Sequence, residues 1–460
     1  MQPATPKTEL PPSTQLRKAV SGGFRHSGSL PILIFIVATT AIAADAPKSL
    51  RATLGDSAVE PAWEQRLTIT VGPANADIVG TSEKAIQAAV DYVGRFGGGT
   101  VNILPGTYRL RNAVYLQSKV RLLGSGSETV LIKEPSSSTT LAEDSDWFDQ
   151  EITLTDATGF AIGDGVCLRT KDGGSRNAET VKRTLVARTG NRFKLDQGLR
   201  KNFWRLGETK VSTLFPILSG ENISDIAIEN LVLDGNRAKN ENLDGNYAGC
   251  VFLQECNRVV MRGIAARNFN GDGLSWQVCH DVLVEDCTSE GHAGLGLHPG
   301  SGSQRTVMRN NRLIGNHIGI FFCWGVRHGV AEKNHVEGND IGISIGHHDT
   351  DNLVRNNDVT GSREVGVLFR PELGKEFTGN RNRIENNRLL NNGADDGFAV
   401  DVQGGTESIV FTGNEIIETR SPARRTAIRL GPETRSITLR DNRIKGFAKD
   451  VAGEAGHAIK

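Results

Sequence analysis

Net charge, aromatic side chains, closely paired cysteines and membrane-length apolar runs are all missing or scarce in this sequence. Each absence excludes something. The 53 Lys and Arg residues balance 53 Asp and Glu, which leaves no electrostatic footprint for nucleic acid. The six cysteines, Cys167, Cys250, Cys256, Cys279, Cys287 and Cys323, contain no CxxC pair and no zinc-ligand spacing. They read as buried free thiols inside a β-rich core. The one sustained apolar stretch, Leu30 to Ala41, is too short for a comfortable membrane span. It follows Arg17, Lys18 and Arg25 and leads into the small-residue sequence Ala41-Ile42-Ala43. That order is the pattern of an export signal, with a retained N-terminal anchor as the alternative. Residues 1–43 are therefore read as a signal peptide, and the remainder as a secreted or periplasmic protein with no stable membrane span.

Helical periodicity is nearly absent too. One stretch has it. Ile86, Ala89, Val90 and Val93 share a face, Ser82 is placed to cap the start, Glu83 sits in the first turn, and Gly97-Gly98-Gly99 ends the pattern. The spacing predicts a helix over 82–99 that covers one end of a longer structure. "TVNILPGTYRL" and "VYLQSKVRLLGSG" then alternate as strands, so 44–134 forms a cap and the first coils. Residues 135–215 are strand-like but match no repeat, and read as an inserted small β element, a lid or a decoration.

What is abundant is repetition. Over 216–460 an asparagine recurs before a polar–apolar pair, at Asn311, Asn334, Asn357, Asn387, Asn414 and Asn442, with spacings of 23, 23, 30, 27 and 28 residues. That is the period of a solenoid. Each unit holds short β-branched strands punctuated by Gly and Asn, and none holds a helix. A parallel β-helix remains, with coils stacked roughly 4.8 Å apart. The asparagines tolerate left-handed turns, and their amides can stack along a corner.

The run "TSEKAIQAAVDYVGRFGGGTVNILPGTYRL", followed by Asn-punctuated coils, resembles the right-handed parallel β-helix proteins of the pectin lyase-like superfamily. The resemblance spans nearly all of the chain after residue 43. It implies an all-β right-handed solenoid with an N-terminal capping helix. It does not select a function, because such folds host polysaccharide lyases, glycoside hydrolases, uronate epimerases and non-catalytic proteins.

One column can be set from glycines: Gly249, Gly273, Gly294, Gly319, Gly342, Gly366 and Gly397 each precede an alternating strand. Leu274, Leu295, Ile320, Ile343, Val367 and Phe398 then point inward, and the glycines form a bare outward stripe. Such a stripe lets a flat ligand approach, or supplies unusual backbone angles at a corner. The fourth position of each strand reads Gln277, His298, Cys323, Gly346, Arg370 and Asp401. Beside it fall Trp324, His347, His348, Asp349 and Glu372, with His292 and His317 on the other flank. This gathers histidines, an arginine and carboxylates on neighbouring rungs.

Three functions use such a set. Uronate elimination or epimerisation needs a cation for the sugar carboxylate, a base for the neighbouring proton, and an acid. Arg370 suits the first role and His298 or His347 the second, with His348 beside them and Trp324 stacking on a sugar ring. Gln277, His292, His317 and Asp349 are candidates for substrate contact. "GLGLHPGSGS" resembles the Asp-Pro-His region of mannuronan epimerases without its aspartate. Inverting hydrolysis would use Glu372 and Asp401 as paired carboxylates. "NGDG", "EDC", "GHAG" and "RIK" resemble polygalacturonase motifs, but the second lacks paired aspartates, Ala293 replaces a glycine in the third, and "RIK" lies too many coils away. The third function is binding of a polysaccharide without turnover. No metal site is assigned from the spacing; Ca²⁺ is the cation that Asp349, Asp351 or Glu372 would take.

Overall fold

The computed structural model describes residues 61–174, 177–371 and 377–453, with the backbone of 458–459. Residues 1–43, expected to be a signal peptide, and Glu372 lie outside the described residues. Among the described residues, three parallel sheets of 14, 11 and 11 strands are stacked along one axis. A single coil shows the plan. Val330–Glu332 lies in the first sheet, His335–Glu337 in the second and Ile341–Ile345 in the third, and the next coil repeats that order. Neighbouring coils hold strict register in the third sheet: Leu274 pairs with Leu297, Leu297 with Ile320, Ile320 with Ile343, and Ile343 with Val367. This inward column is buried to 1% exposure or less. It joins one continuous apolar core running the length of the solenoid.

All three corners are closed by side-chain ladders inside the wall. Between the first and second sheets, the Asn311, Asn334, Asn357, Asn387 and Asn414 amides each donate to the next asparagine's Oδ1 at 2.9–3.0 Å. The left-handed turn is made by the residue just before: Asn310, Lys333, Asn356, Asn386 and Asp441 have φ of 53–56°. Two duties expected of one asparagine are thus split between adjacent positions, because an amide aimed into the wall cannot also lie at the outward-turning corner. Cys287 occupies this ladder one coil earlier, its N–H donating to Asn311 Oδ1 at 3.0 Å. Cys256 and Cys279 occupy the ladder between the third and first sheets, where the Cys256 N–H donates to Cys279 Sγ at 3.3 Å. All six cysteines are buried.

The helix spans Glu83–Arg95, with Ile86, Ala89, Val90 and Val93 fully buried against the first coil. Ser82 makes no side-chain cap; the buried Glu83 instead accepts the Arg111 N–H at 3.1 Å. A six-stranded antiparallel sheet lies between Ser138 and Ser212, with its own core built around Leu154, Phe193 and Phe203.

The glycine stripe faces inward, contrary to expectation. A Cβ on Gly273 would fall 2.2 Å from Ser289 Oγ, and on Gly319 or Gly342 it would fall 2.6 Å from a methyl of Val336 or Val359. Those three neighbours are fully buried residues of the second sheet. The glycines clear space where the second and third sheets converge, and they present no groove floor.

Candidate functional site

The outward column of the third sheet reads Phe252, Ser275, His298, Phe321, Ser344, Leu368, Asp401 and Arg429 along successive coils. The sequence alignment is therefore two residues off in two coils. Gly296 and Ala399, not Gly294 and Gly397, are the equivalents of Gly273 and Gly366, since Leu274 pairs with Leu297 and Val367 with Val400. Leu295 and Phe398 move to the outer side, whereas Leu274, Ile320, Ile343 and Val367 point inward. Gln277 thus stands beside Gly300, and Asp401 beside Leu368.

The correction gives His298 a partner that no sequence column contained. His298 Nδ1 lies 2.7 Å from Asp272 Oδ2, both side chains 3% exposed. Asp272 Oδ1 accepts the Leu295 N–H at 2.9 Å, which fixes the carboxylate. Ser275 Oγ lies 3.4 Å from the same His298 nitrogen and donates to Gly245 O at 3.0 Å. A Cβ on Gly245 would fall 1.7 Å from Asp272 Oδ2, so this loop seals the dyad only because it carries a glycine there. With Nδ1–H held by Asp272, His298 keeps a lone pair on Nε2, which sits 3.5 Å from Gln277 Nε2. The only trace of Asp272 in the sequence is the "NGDG" string, read there as part of an unrelated motif set.

Phe321 follows His298 on the next rung. Its ring stands edge-on to the imidazole at 5.4 Å and carries the Arg370 guanidinium at 4.3 Å on its face. Arg370 donates to Ser344 Oγ and Phe322 O at 2.9 Å and to Asp349 Oδ2 at 3.3 Å. Asp349 is fully buried and also accepts the N–H groups of Gly325, Val326 and Gly346 at 2.9–3.0 Å. Burial pushes its carboxyl up to about 7, against Arg370 and those amides, which favour the charged form. Asp349 is thus the counter-ion that positions Arg370, a correction to its expected role as a substrate contact. Two rungs from Ser344, Asp401 is clamped by Arg429 (Nε to Oδ1, 2.6 Å) and by Gln403 Nε2 at 2.6 Å.

The turn after these strands is aromatic. Trp324, 60% exposed, stacks on His347 with ring centroids 3.6 Å apart and planes at 19°. Phe377 meets the rings of His347 and His348 edge-on, at 5.1 and 4.9 Å. Trp324, His347 and His348 all have left-handed backbones, with φ of 59°, 50° and 69°. Two other histidines fall elsewhere. His292 is a member of the ladder between the second and third sheets, where Nδ1 accepts the Phe269 N–H at 3.1 Å and its own N–H donates to Asn316. Burial lowers its pKa to about 3, and it lies inside the wall. His317 is half exposed on the outer corner, paired with Asp340 at 3.0 Å.

Metal chemistry finds no donor set. Among the described residues no three His, Cys, Asp or Glu side chains gather as a metal site would require. Asp349 and Asp351, expected as Ca²⁺ ligands, are instead engaged by Arg370 and by Arg381, the latter at 2.8 Å.

Residues 207–398 match the family described as periplasmic copper-binding protein (NosD). The absence of a converging donor set means that copper fits no cluster of the described residues. No curated protein matches the chain. The Dettilon tailspike protein superposes with a TM-score of 0.52 at 13% identity, over 85% of this chain and 68% of that one. The tailspike of E. coli bacteriophage HK620, solved with a pentasaccharide, gives 0.51 at 13%, over 86% and 67%. The A-module of Azotobacter vinelandii mannuronan C-5 epimerase AlgE4 gives 0.49 at 17%, over 85% and 100%. No helix of the described residues is long and apolar enough to cross a membrane. With three stacked parallel sheets and the likeness to the two tailspikes, the chain has the fold of a right-handed parallel β-helix protein.

Proposed function

We propose that the protein is an exported polysaccharide lyase or uronate epimerase. His298 removes the proton beside a sugar carboxylate. The observation behind this reading is the Asp272–His298 pair on the outward column, because a carboxylate on Nδ1 fixes the tautomer in which Nε2 accepts a proton. The Arg370 guanidinium, which reaches back from two rungs on to lie over Phe321 and is positioned by Asp349, supplies positive field for the carboxylate as charge builds on the carbanion. In elimination, the C–H electron pair forms the new double bond as the bond to the departing glycosidic oxygen breaks, and that oxygen takes a proton. In epimerisation, a proton returns from the opposite face. Trp324, stacked on His347, offers a ring face to a sugar. Export is supported by the apolar run before Ala43 and by the periplasmic name of the matching family.

The test is incubation with uronic polysaccharides in heavy water. Lyase activity creates ultraviolet absorbance from an unsaturated uronide, and epimerisation places deuterium at the carbon beside the carboxylate. Reducing ends without either signal would overturn the reading in favour of hydrolysis. Among the described residues hydrolysis has weaker support: Asp401, one of its two expected carboxylates, is already held by Arg429 and Gln403. Binding without turnover has one specific observation behind it. Asp401 and Asp349 already hold arginine partners, which suits a surface that recognises a chain without transforming it. Retardation of polysaccharide in an affinity gel, with neither chemical signal, is its result.

A further inference from the structure

A second cavity, of about 420 Å³, lies at the seam between the inserted sheet and the first coils of the solenoid. Its volume is within the range of small-molecule sites. Tyr115 and Glu221 come from the solenoid, Lys182 and Gln197 from the inserted element, and Tyr247 from the loop whose Gly245 seals the Asp272–His298 pair. Three separate segments of chain therefore build this one wall.

Some of its polar groups are held by the protein and others face the cavity. Arg183, also in the lining, is consumed by structure, since its guanidinium donates to the carbonyls of Lys182, Gly198 and Leu199. Asp196 accepts the Thr184 N–H at 2.8 Å. Among the described residues, however, the Lys182 ammonium, the Glu221 carboxylate, the Gln197 amide and the Tyr247 hydroxyl form no hydrogen bond or ion pair. Lys182 Nζ instead lies 4.0 Å from the centroid of the buried Phe252 ring. Phe252 is on the same outward column as His298, two coils earlier. Burial pushes the Lys182 ammonium down to about 8, with the Glu221 carboxylate on the same wall partly opposing that shift.

The geometry points to a binding site for a single uronic sugar at this seam, with Lys182 holding the sugar carboxylate, Glu221 and Gln197 its hydroxyls, and Tyr115 and Tyr247 flanking the ring. The choice of an acidic sugar over another small anion rests on the polyuronide reading of the groove. The arrangement of one cation among hydroxyl-binding groups and aromatic rings is independent of that reading. The inserted sheet is then the second half of a sugar site, placed at the N-terminal end of the groove face.

The test is calorimetric titration of the full chain with glucuronate, galacturonate and mannuronate, beside glucose, galactose, mannose and acetate. At least one uronate is expected to bind more tightly than its neutral counterpart and than acetate. Lys182→Gln should weaken that binding by roughly 10- to 100-fold, as loss of a charged hydrogen bond does. Glu221→Gln should weaken neutral and acidic sugars alike, and His298→Ala should change neither. Melting temperatures matching the parent would show that the variants fold, and Tyr247→Phe offers a milder probe of the same wall. Absence of uronate binding, equal binding of acetate, or binding unchanged by Lys182→Gln would each overturn the inference. These outcomes are separate from polysaccharide turnover: turnover without monosaccharide binding removes the seam site alone, and monosaccharide binding without turnover removes the catalytic reading alone.

Discussion

Two outward faces of one solenoid obey the same pairing rule with different results. On the first sheet, Glu229, Arg262, Glu285, Arg309, Glu332, Arg355 and Glu385 alternate in sign along one column of successive coils. Arg262 bridges Glu229 and Glu285 at 2.7 and 2.6 Å, and Arg309 meets Glu285 at 2.6 Å, with both arginines nearly half exposed. On the third sheet the pairs are Asp272–His298, Asp349–Arg370 and Asp401–Arg429; Glu229 and Glu285 are buried as these carboxylates are, but His298 and Arg370 are only 3% and 16% exposed, unlike the first-sheet arginines. Opposite charges on adjacent rungs attract on either face. In water the gain is small and the face is simply soluble. Buried against Phe321 and a sealing loop, the same pairing fixes a tautomer and orients a guanidinium.

The comparison is broken most severely at the dyad. His298→Ala or Asp272→Asn should lower turnover of the polysaccharide by roughly 10²- to 10⁴-fold with little loss of melting temperature. Retained turnover in both variants would remove His298 from the chemistry. Next comes the wall between the faces. Asn357→Ala leaves the Asn334 amide without its acceptor and the Ala331 carbonyl without its donor, and should destabilise the fold by about 2–4 kcal/mol in denaturant unfolding.

His292 gives this wall a pH dependence. Its pKa is about 3 in the fold against 6.5 when unperturbed. Between those values only the unfolded chain takes the proton, so stability is full above pH 6.5 and falls as pH drops toward 3, by up to about 1.4 kcal/mol per pH unit. His292→Asn, which restores the residue found one rung on at Asn316, should flatten that acid slope in unfolding curves. Trp324→Ala should weaken retention on a polysaccharide gel by roughly 3- to 10-fold. The smallest effect belongs to the first sheet: Arg309→Ala should change stability by less than about 1 kcal/mol and leave turnover untouched. A large loss of activity there would erase the distinction between the faces.

Legibility in the sequence followed the same division. Asn311 to Asn442 announced the coils because a ladder needs the same amide at the same place every turn. Leu274, Ile320, Ile343 and Val367 were legible as core through strand alternation. Asp272 was not legible, because its partner lies 26 residues away on another coil. His292 was misassigned because a ladder amide and a groove histidine occupy similar positions relative to the following strand. The column of Gln277, His298 and Asp401 failed because turns of variable length absorbed two residues before Gly296 and before Ala399.

The sequence by itself determined that the chain coils, with what period, and which side chains fill the wall. Those follow from local rules of strand alternation and turn chemistry, repeated until they leave one architecture. Tertiary structure alone decided the direction of the glycine stripe, the meeting of Asp272 with His298, and the seam that gathers Lys182, Glu221 and Tyr247. Each depends on register between coils, or on contact between distant segments, and no local spacing encodes a distance across a turn whose length varies.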